Sequence, residues 1–420
     1  MPDFLDLLRQ NRNYRYTWLG QVVSETGDYF NNIAVFALVM EVTGSGLVVS
    51  GVMLSRAIPA VLAGPVAGVV LDRFDRRHVM LASDLIRAVV ALAFVLTVRH
   101  PSAWLLYTLS ALLMFASPFF TSGRAAILPV ITRPEELHTA NSLTQTTQWA
   151  TQTAGTMLAG FAVARMGFAW AFVFNSLSFV FSALAVWKLR AAQGFVARQG
   201  KTRSAALHRP WREYLEGLAY IRATPLVFWI GMVSVGWATG GGAAQILFTL
   251  FGEQVFHRGA AGIGAIWGFA GLGLLVGGWL GHVVGRHTGF TGYKRSIPIC
   301  YIIHGAAYVA FSQVSSYVLA LGLVCLSRVG MAVCSVLNYS QLLRHTPDRF
   351  RGRTFSTMES LRWSVMILSM AAAGVASVHF SPRAIGTIAG ILSSLTAVFW
   401  AWADWTGRIP EPALVQNGLS

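Results

Sequence analysis

The sequence predicts an all-α membrane protein of twelve transmembrane helices, arranged as two pseudo-symmetric six-helix bundles. Composition is the first reason: of 420 residues, 55 % are hydrophobic and 12 % charged, with a mean hydropathy of +0.55, whereas soluble domains carry about 25 % charged residues. Uncharged stretches such as 102–122 and 224–252 are the second, since they exceed the ~20 residues that span hydrocarbon. The third is a charge asymmetry between alternate connections. Together they exclude a two-domain soluble enzyme, a disordered chain, a coiled coil and a solenoid.

The first span is expected at 17–40, behind a lead-in that holds Asp3, Asp6, Arg9, Arg12 and Arg15 and no small-residue cleavage site, hence a cytosolic helix and not a signal peptide. Spans 2 to 6 follow at 47–71, 79–98, 102–122, 139–164 and 168–187. Spans 7 to 12 resume at 224–252, 260–284, 296–315, 317–343, 354–378 and 384–403. The expected domains are therefore a first half at 1–187, a basic linker at 188–223, a second half at 224–405 and a tail at 406–420. Within the linker, 213–222 reads as a short interfacial helix.

The net charge of +15 would suggest nucleic acid in a soluble protein. Here the basic residues sit in short connections, with no basic groove lined by aromatic side chains, so no nucleic-acid partner is expected. With a cytosolic N-terminus, 24 Lys and Arg fall on the cytosolic side and four on the other, namely Arg99, Arg165, Arg258 and Arg383. Such a split places both termini and the linker in the cytosol and the chain in the inner (plasma) membrane. Linker residues Arg198, Lys201, Arg203, Arg209 and Arg212 read as a solvated loop over an anionic leaflet. Cys300, Cys325 and Cys334 lie in apolar segments and have no metal-ligand spacing, so neither a metal nor a cofactor is expected.

After span 2 the chain reads Gly68-Val-Val-Leu-Asp72-Arg73-Phe-Asp75-Arg76-Arg77. This resembles the signature loop of the major facilitator superfamily, with Asp75 in the place of the usual glycine. A worn copy, Gly281-His-Val-Val-Gly285-Arg286, lies 213 positions later, as two homologous halves would leave behind. The segments from Gly20-Gln21 to Gly27-Asp28, Ala140-Asn141 and Arg351-Gly352-Arg353 resemble the bacterial efflux branch that includes macrolide and enterobactin exporters. That resemblance implies a central cavity between the halves and export of a medium-sized amphiphile driven by inward proton flow.

The resemblance also nominates the start of span 11 as the partner of Asp72, whose carboxylate would cap backbone N–H groups there. Gly352 would permit close approach, and Glu359 would pair with Arg73, Arg76 or Arg77. These residues, with Arg362, form the expected cytosolic gate. The alternative is that the charges only fix topology.

Ionisable groups within spans are costly and mark function by default. Asp28 and Arg56 lie at matching depths of ~16 Å and ~14 Å from opposite faces. Asp28, Glu25 and Arg56 are accordingly the proton-coupling candidates; Asp28 either carries the proton or forms a permanent pair with Arg56 or an Asn network. Asp84 with Arg87, and Glu359 with Arg362, read as intrahelical pairs at i,i+3. Arg328 in span 10 has no acid on its own helix and either attracts an anionic group or bonds to backbone carbonyls.

Span 5 carries a polar stripe of Gln145, Gln148 and Gln152, which in hydrocarbon must face protein or water. Its Gly155-Thr-Met-Leu-Ala-Gly160 run lacks the proline of an antiporter signature and reads otherwise as close helix packing, as do the glycines of span 8. Gly240-Gly241-Gly242 in span 7 and Ser117-Pro118 in span 4 are expected helix weak points. Asn31, Asn32 and Arg328 join the stripe as cavity candidates by their polarity within spans, and by the resemblance so do Phe36, Phe119, Trp237, Gln245, Asn338 and Tyr339.

The expected function is a secondary transporter acting as a monomer, with a small-molecule substrate and protons as partners. An importer of a nutrient or lipid-like solute has the same fold. An intramembrane enzyme lacks support, because no His-Glu-x-x-His, Gly-x-Ser-x-Gly or Walker-type loop occurs.

Overall fold

The computed structural model describes residues 4–189 and 210–411. Linker positions Arg198, Lys201, Arg203 and Arg209, and most of the tail, lie outside the described residues. Among the described residues every regular element is helical. The helices are α1 (Phe4–Gln10), α2 (Arg12–Thr43), α3 (Gly46–Arg73), α4 (Arg76–Ala93), α5 (Val95–Arg99), α6 (Ala103–Ile131), α7 (Pro134–Met166), α8 (Phe168–Trp187), α9 (Pro210–Ala223) and α10 (Pro225–Leu250). A π turn at Phe251–Val255 leads to α11 (Gly259–His287), α12 (Phe290–Gln313), α13 (Tyr317–His345), α14 (Asp348–Ala376) and α15 (Pro382–Trp405).

Eleven of the twelve expected spans fall on one helix each and the third, 79–98, on α4 and α5 together; the 213-residue repeat is visible in them: α3 begins at Gly46 and α11 at Gly259. Eight helical segments are long and apolar enough to cross a membrane among the described residues. The other four expected spans lie on α2, α7, α12 and α14, which are long enough at 32, 33, 24 and 29 residues. What sets them apart is polarity: they carry Glu25 and Asp28, the Gln stripe, His304, and Glu359 with Arg362. Polar side chains on a spanning helix must face protein or water.

The chain divides into two compact units, one of Met1–Gln199 with Phe248–Gly268, the other of Gly200–Leu247 with Phe269–Ser420. In the first, α2 packs on α7 and α8, while α3 and α4 pack on α6. Helix α2 starts at the Asn11 cap, which accepts from the Tyr14 N–H at 3.0 Å. It ends at Gly44, whose φ of +60° is a left-handed conformation that glycine adopts without strain. At Gly27 a Cβ would collide with Ser178 Oγ and come within 2.8 Å of Asn175 Oδ1, so only glycine permits this α2–α8 approach. Residues 248–268 join this unit through small-residue packing: a Cβ on Gly160 would lie 2.7 Å from the Ala260 carbonyl and 2.9 Å from Gly264 Cα.

In the second unit α12 packs on α13 and α15, and α9 packs on α14. The expected weak point at 240–242 is not one. Helix α10 runs unbroken through it, and Gly240 and Gly242 instead admit the Ala389 and Met366 carbonyls of neighbouring helices. Helix α6 likewise continues through Ser117-Pro118 to Ile131. The interruptions lie elsewhere, at Phe94 between α4 and α5 and at the π turn after α10.

Candidate functional site

The first unit gathers its charges around α2. Glu25 accepts from Arg124 Nη1 at 3.1 Å and from Thr151 Oγ1 at 3.0 Å, tying α2 to α6 and α7. Arg124 lies beyond the span expected at 102–122, but α6 extends past it to Ile131, so it belongs to the helix. One turn along α2, Asp28 has a buried Oδ1 with no hydrogen-bond partner. The expected Asp28–Arg56 pair does not form. Arg56 donates to Asn31 Oδ1 at 3.3 Å and to Asn32 Oδ1, because the two amide oxygens lie a turn beyond Asp28 and satisfy the guanidinium as neutral acceptors. Asp84 and Arg87 do form the expected i,i+3 pair, fully buried, with the guanidinium 4.7 Å and 4.3 Å from the Phe120 and Phe179 ring centroids.

In the signature loop, Asp75 caps α4, accepting from the Arg77 N–H at 2.8 Å and the His78 N–H at 3.3 Å. The departure from glycine thus has a local structural reason. Arg76 donates to the Ala126 carbonyl at 3.0 Å, and Arg77 to the carbonyls of Val186 (3.3 Å) and Trp187. Asp72 and Arg73 are exposed. Within the second unit, Glu359 accepts from Arg362 Nε at 3.1 Å and from Trp363 Nε1 at 2.9 Å. The start of α14 is occupied by α9: Arg353 Nη1 meets Glu216 at 2.8 Å, and Tyr220 stacks on Phe350 with centroids 4.6 Å apart. The glycine that allows close approach there is Gly217, where a Cβ would sit 3.0 Å from the Arg353 carbonyl, while a Cβ on Gly352 would meet nothing within 4 Å.

The second unit holds a cavity of about 240 Å³ between α10, α12, α13 and α14. It brings together Trp237, Asn338, Tyr339, Glu359 and Arg362 from the sequence expectations, and adds Tyr301. Asn338 Oδ1 accepts from the Tyr293 hydroxyl at 2.8 Å, which fixes the amide. Arg328 does not line this cavity but an adjoining recess, with His304 and Tyr308. Gln245 lines neither of these two. In the first unit Asn31 and Phe36 are buried, Phe119 is half-buried against Phe115 at 6.0 Å, and Gln152 is half-buried. Gln145 and Gln148 are exposed and bond each other at 3.3 Å. Sequence reasoning missed His304, whose Nδ1 lies 2.9 Å from the Ser327 carbonyl. The signal was available: Tyr301, His304 and Tyr308 are spaced as one helical stripe.

Two helical units, buried charges on spanning helices and a cavity lined by aromatic and amide side chains define a multi-pass membrane transporter. The chain belongs to the Major Facilitator Superfamily, whose family model matches residues 17–365. It is 25 % identical over 395 residues to the uncharacterised MFS-type transporter YfiS of Bacillus subtilis, covering 88 % of both chains. It is 25 % identical over 362 residues to the enterobactin exporter EntS of Escherichia coli, covering 83 % of this chain and 81 % of that one. A 135-residue stretch, 31 % of this chain and 33 % of the relative, is 29 % identical to macrolide efflux protein A of Streptococcus pyogenes. Among solved structures, a bacterial homologue of the iron transporter ferroportin in an inward-facing state matches with a TM-score of 0.70 at 19 % identity. That match covers 93 % of this chain and 98 % of the other, and shows the shared fold.

Proposed function

We propose that this transporter is a proton-coupled exporter of medium-sized amphiphilic compounds, working as a monomer in the inner membrane by alternating access. The observation that carries the proton assignment is the contrast on α2. Glu25 is engaged by Arg124 and Thr151, whereas Asp28 has a buried oxygen without a partner beside an Arg56 already satisfied by asparagines. A carboxylate that loses no bond on protonation is the better carrier. The cavity's aromatic and aliphatic lining, with the Asn338 amide, a few hydroxyls and the mutually paired Glu359 and Arg362, suits an amphiphile, and the efflux relatives support the direction.

Both termini and the linker are assigned to the cytosolic side by the 24 to 4 split of basic residues. Reporters near Gln199 and His257 should read cytosolic and external respectively. Transport itself is tested by efflux of a compound panel from cells stripped of their own pumps. Lower accumulation on expression, reversed by a protonophore, is expected; uptake on expression would support an importer instead.

A further inference from the structure

A separate cavity of about 320 Å³ lies in the first unit, between the starts of α2 and α7, where Gln10, Asn11, Arg12, Asn13, Arg133 and Glu136 line it. The Asn11 amide joins the two helices there, donating to the Ile131 carbonyl at 2.8 Å and to Glu136 Oε2 at 2.9 Å. Helix α1 is pinned beside it by Leu7, which is buried against Tyr14, Leu128, Ala140 and Leu143.

Arg12 precedes the first expected span, at 17, by five residues of continuous helix, and Glu136 precedes the fifth, at 139, by three. At 1.5 Å per residue these positions stand ~8 Å and ~5 Å outside the hydrocarbon, within the ~5–8 Å of headgroup layer on each face of a bilayer. The cavity therefore lies at the level of phospholipid phosphates.

Its charge is unbalanced. Glu136, the only carboxylate in the lining, is 6 % exposed and is already engaged by Asn11, by the Arg133 backbone N–H and by Arg133 Nε and Nη2. Asp6 on α1 and Glu135 on α7 lie outside the lining. Arg12 is exposed, lies 5.5 Å from the Tyr16 ring centroid and pairs with no carboxylate among the described residues. Lys188 Nζ approaches the same ring at 6.0 Å and adds to the positive field. On α1, Phe4 and Leu5 are exposed, and apolar side chains on a short helix at this depth favour insertion into the interface.

We propose that this cavity seats the headgroup phosphate of an anionic inner-leaflet phospholipid on Arg12, with Phe4 and Leu5 set among its acyl chains. The bound lipid holds the entry to α2, the helix that carries Glu25 and Asp28. The inner leaflet follows from the cytosolic assignment of the N-terminus above, whereas binding itself does not depend on that assignment.

The test is lipid binding by the full-length protein in dodecylmaltoside micelles, titrated with phosphatidylglycerol or phosphatidylcholine and read as the lipid-bound fraction by native mass spectrometry. Phosphatidylglycerol should bind at least about fivefold more tightly, the factor that one uncompensated guanidinium contributes at an anionic headgroup. Arg12→Gln should reduce that preference below about twofold, and Arg12→Lys should keep most of it. Leu5→Gln should weaken both lipids alike and leave the preference intact. Arg344→Gln, which removes an exposed arginine from the second unit, should change neither. Arg12 and Leu5 are exposed, and the unfolding midpoint in micelles reports the fold of every variant. Equal binding of the two lipids by the wild type, a preference that survives Arg12→Gln, or an equal loss in Arg12→Gln and Arg344→Gln overturns the site. Soluble sn-glycerol 1-phosphate should not displace phosphatidylglycerol; displacement would assign the cavity to a free phosphate ester and overturn the lipid reading. No outcome depends on proton coupling, on the transported compound or on the direction of transport.

Discussion

Glu25 on α2 and Arg124 on α6 form an ion pair at 3.1 Å, with their side chains 18 % and 13 % exposed. The pair anchors one acid of α2 firmly and leaves Asp28, a turn away, as the acid without a partner for its buried oxygen. Removing one member of a buried pair strands the other, at a cost of ~3–5 kcal/mol for full burial and less here because both keep some water contact. Arg124→Gln should therefore lower the thermal unfolding midpoint of the purified protein clearly. The double variant Glu25→Gln with Arg124→Gln should recover much of that loss. Additive losses in the cycle would mean the two residues do not interact.

Asp75 caps α4 through two backbone N–H groups. Asp75→Ala should cost ~0.5–2 kcal/mol, and Asp75→Gly, which restores the residue usual in the signature loop, only a few tenths. The two unfolding midpoints decide this: equal losses would show that the cap contributes nothing.

Glu136 stands ahead of the expected fifth span, at the N-terminal turn of α7. Burial alone would raise its carboxyl pKa. The Arg133 backbone N–H at 3.0 Å, the Asn11 amide at 2.9 Å and the Arg133 guanidinium outweigh burial and hold it below the ordinary 4.5. A folded-state pKa below the unfolded one gives stability that is complete above the unfolded value and is lost as pH falls through the folded value. Glu136→Gln should thus destabilise at pH 7, and the gap to wild type should narrow as pH drops below about 4.5. A gap independent of pH would contradict the assignment.

Helix α9 is docked on α14 by shape more than by charge. Glu216 and Arg353 are each 38 % exposed, so Glu216→Gln should change stability by well under ~1 kcal/mol. Gly217→Val should cost ~1–3 kcal/mol by overpacking against Thr357 and the Arg353 carbonyl. Proteolytic cleavage near α9 should accelerate in Gly217→Val and remain unchanged in Glu216→Gln.

The helices were legible in the sequence because hydrocarbon allows little else, and because the loop at 68–77 repeats 213 residues later. The i,i+3 pairs were legible for the same local reason: Asp84 with Arg87 and Glu359 with Arg362 share a helix face. Contacts between helices were not. Arg56 turned to Asn31 and Asn32, and Arg76 to the Ala126 carbonyl, because partner choice across helices depends on crossing geometry that sequence spacing does not encode. The weak points expected at 117–118 and 240–242 failed for a related reason. Glycine in a spanning helix serves close packing as readily as bending, and only the neighbouring Ala389 and Met366 carbonyls reveal which.

The central claim is that Asp28 carries the coupling proton, and active transport against a gradient tests it most directly. Wild type and Asp28→Asn are reconstituted in vesicles, and a compound selected from the efflux panel is followed with and without an imposed pH gradient. Wild type should concentrate the compound only when the gradient is present. Asp28→Asn, fixed in a neutral form that mimics the protonated acid, should bind the compound and equilibrate it in both conditions, without concentrating it. Gradient-driven accumulation by Asp28→Asn at the wild-type level would contradict the account.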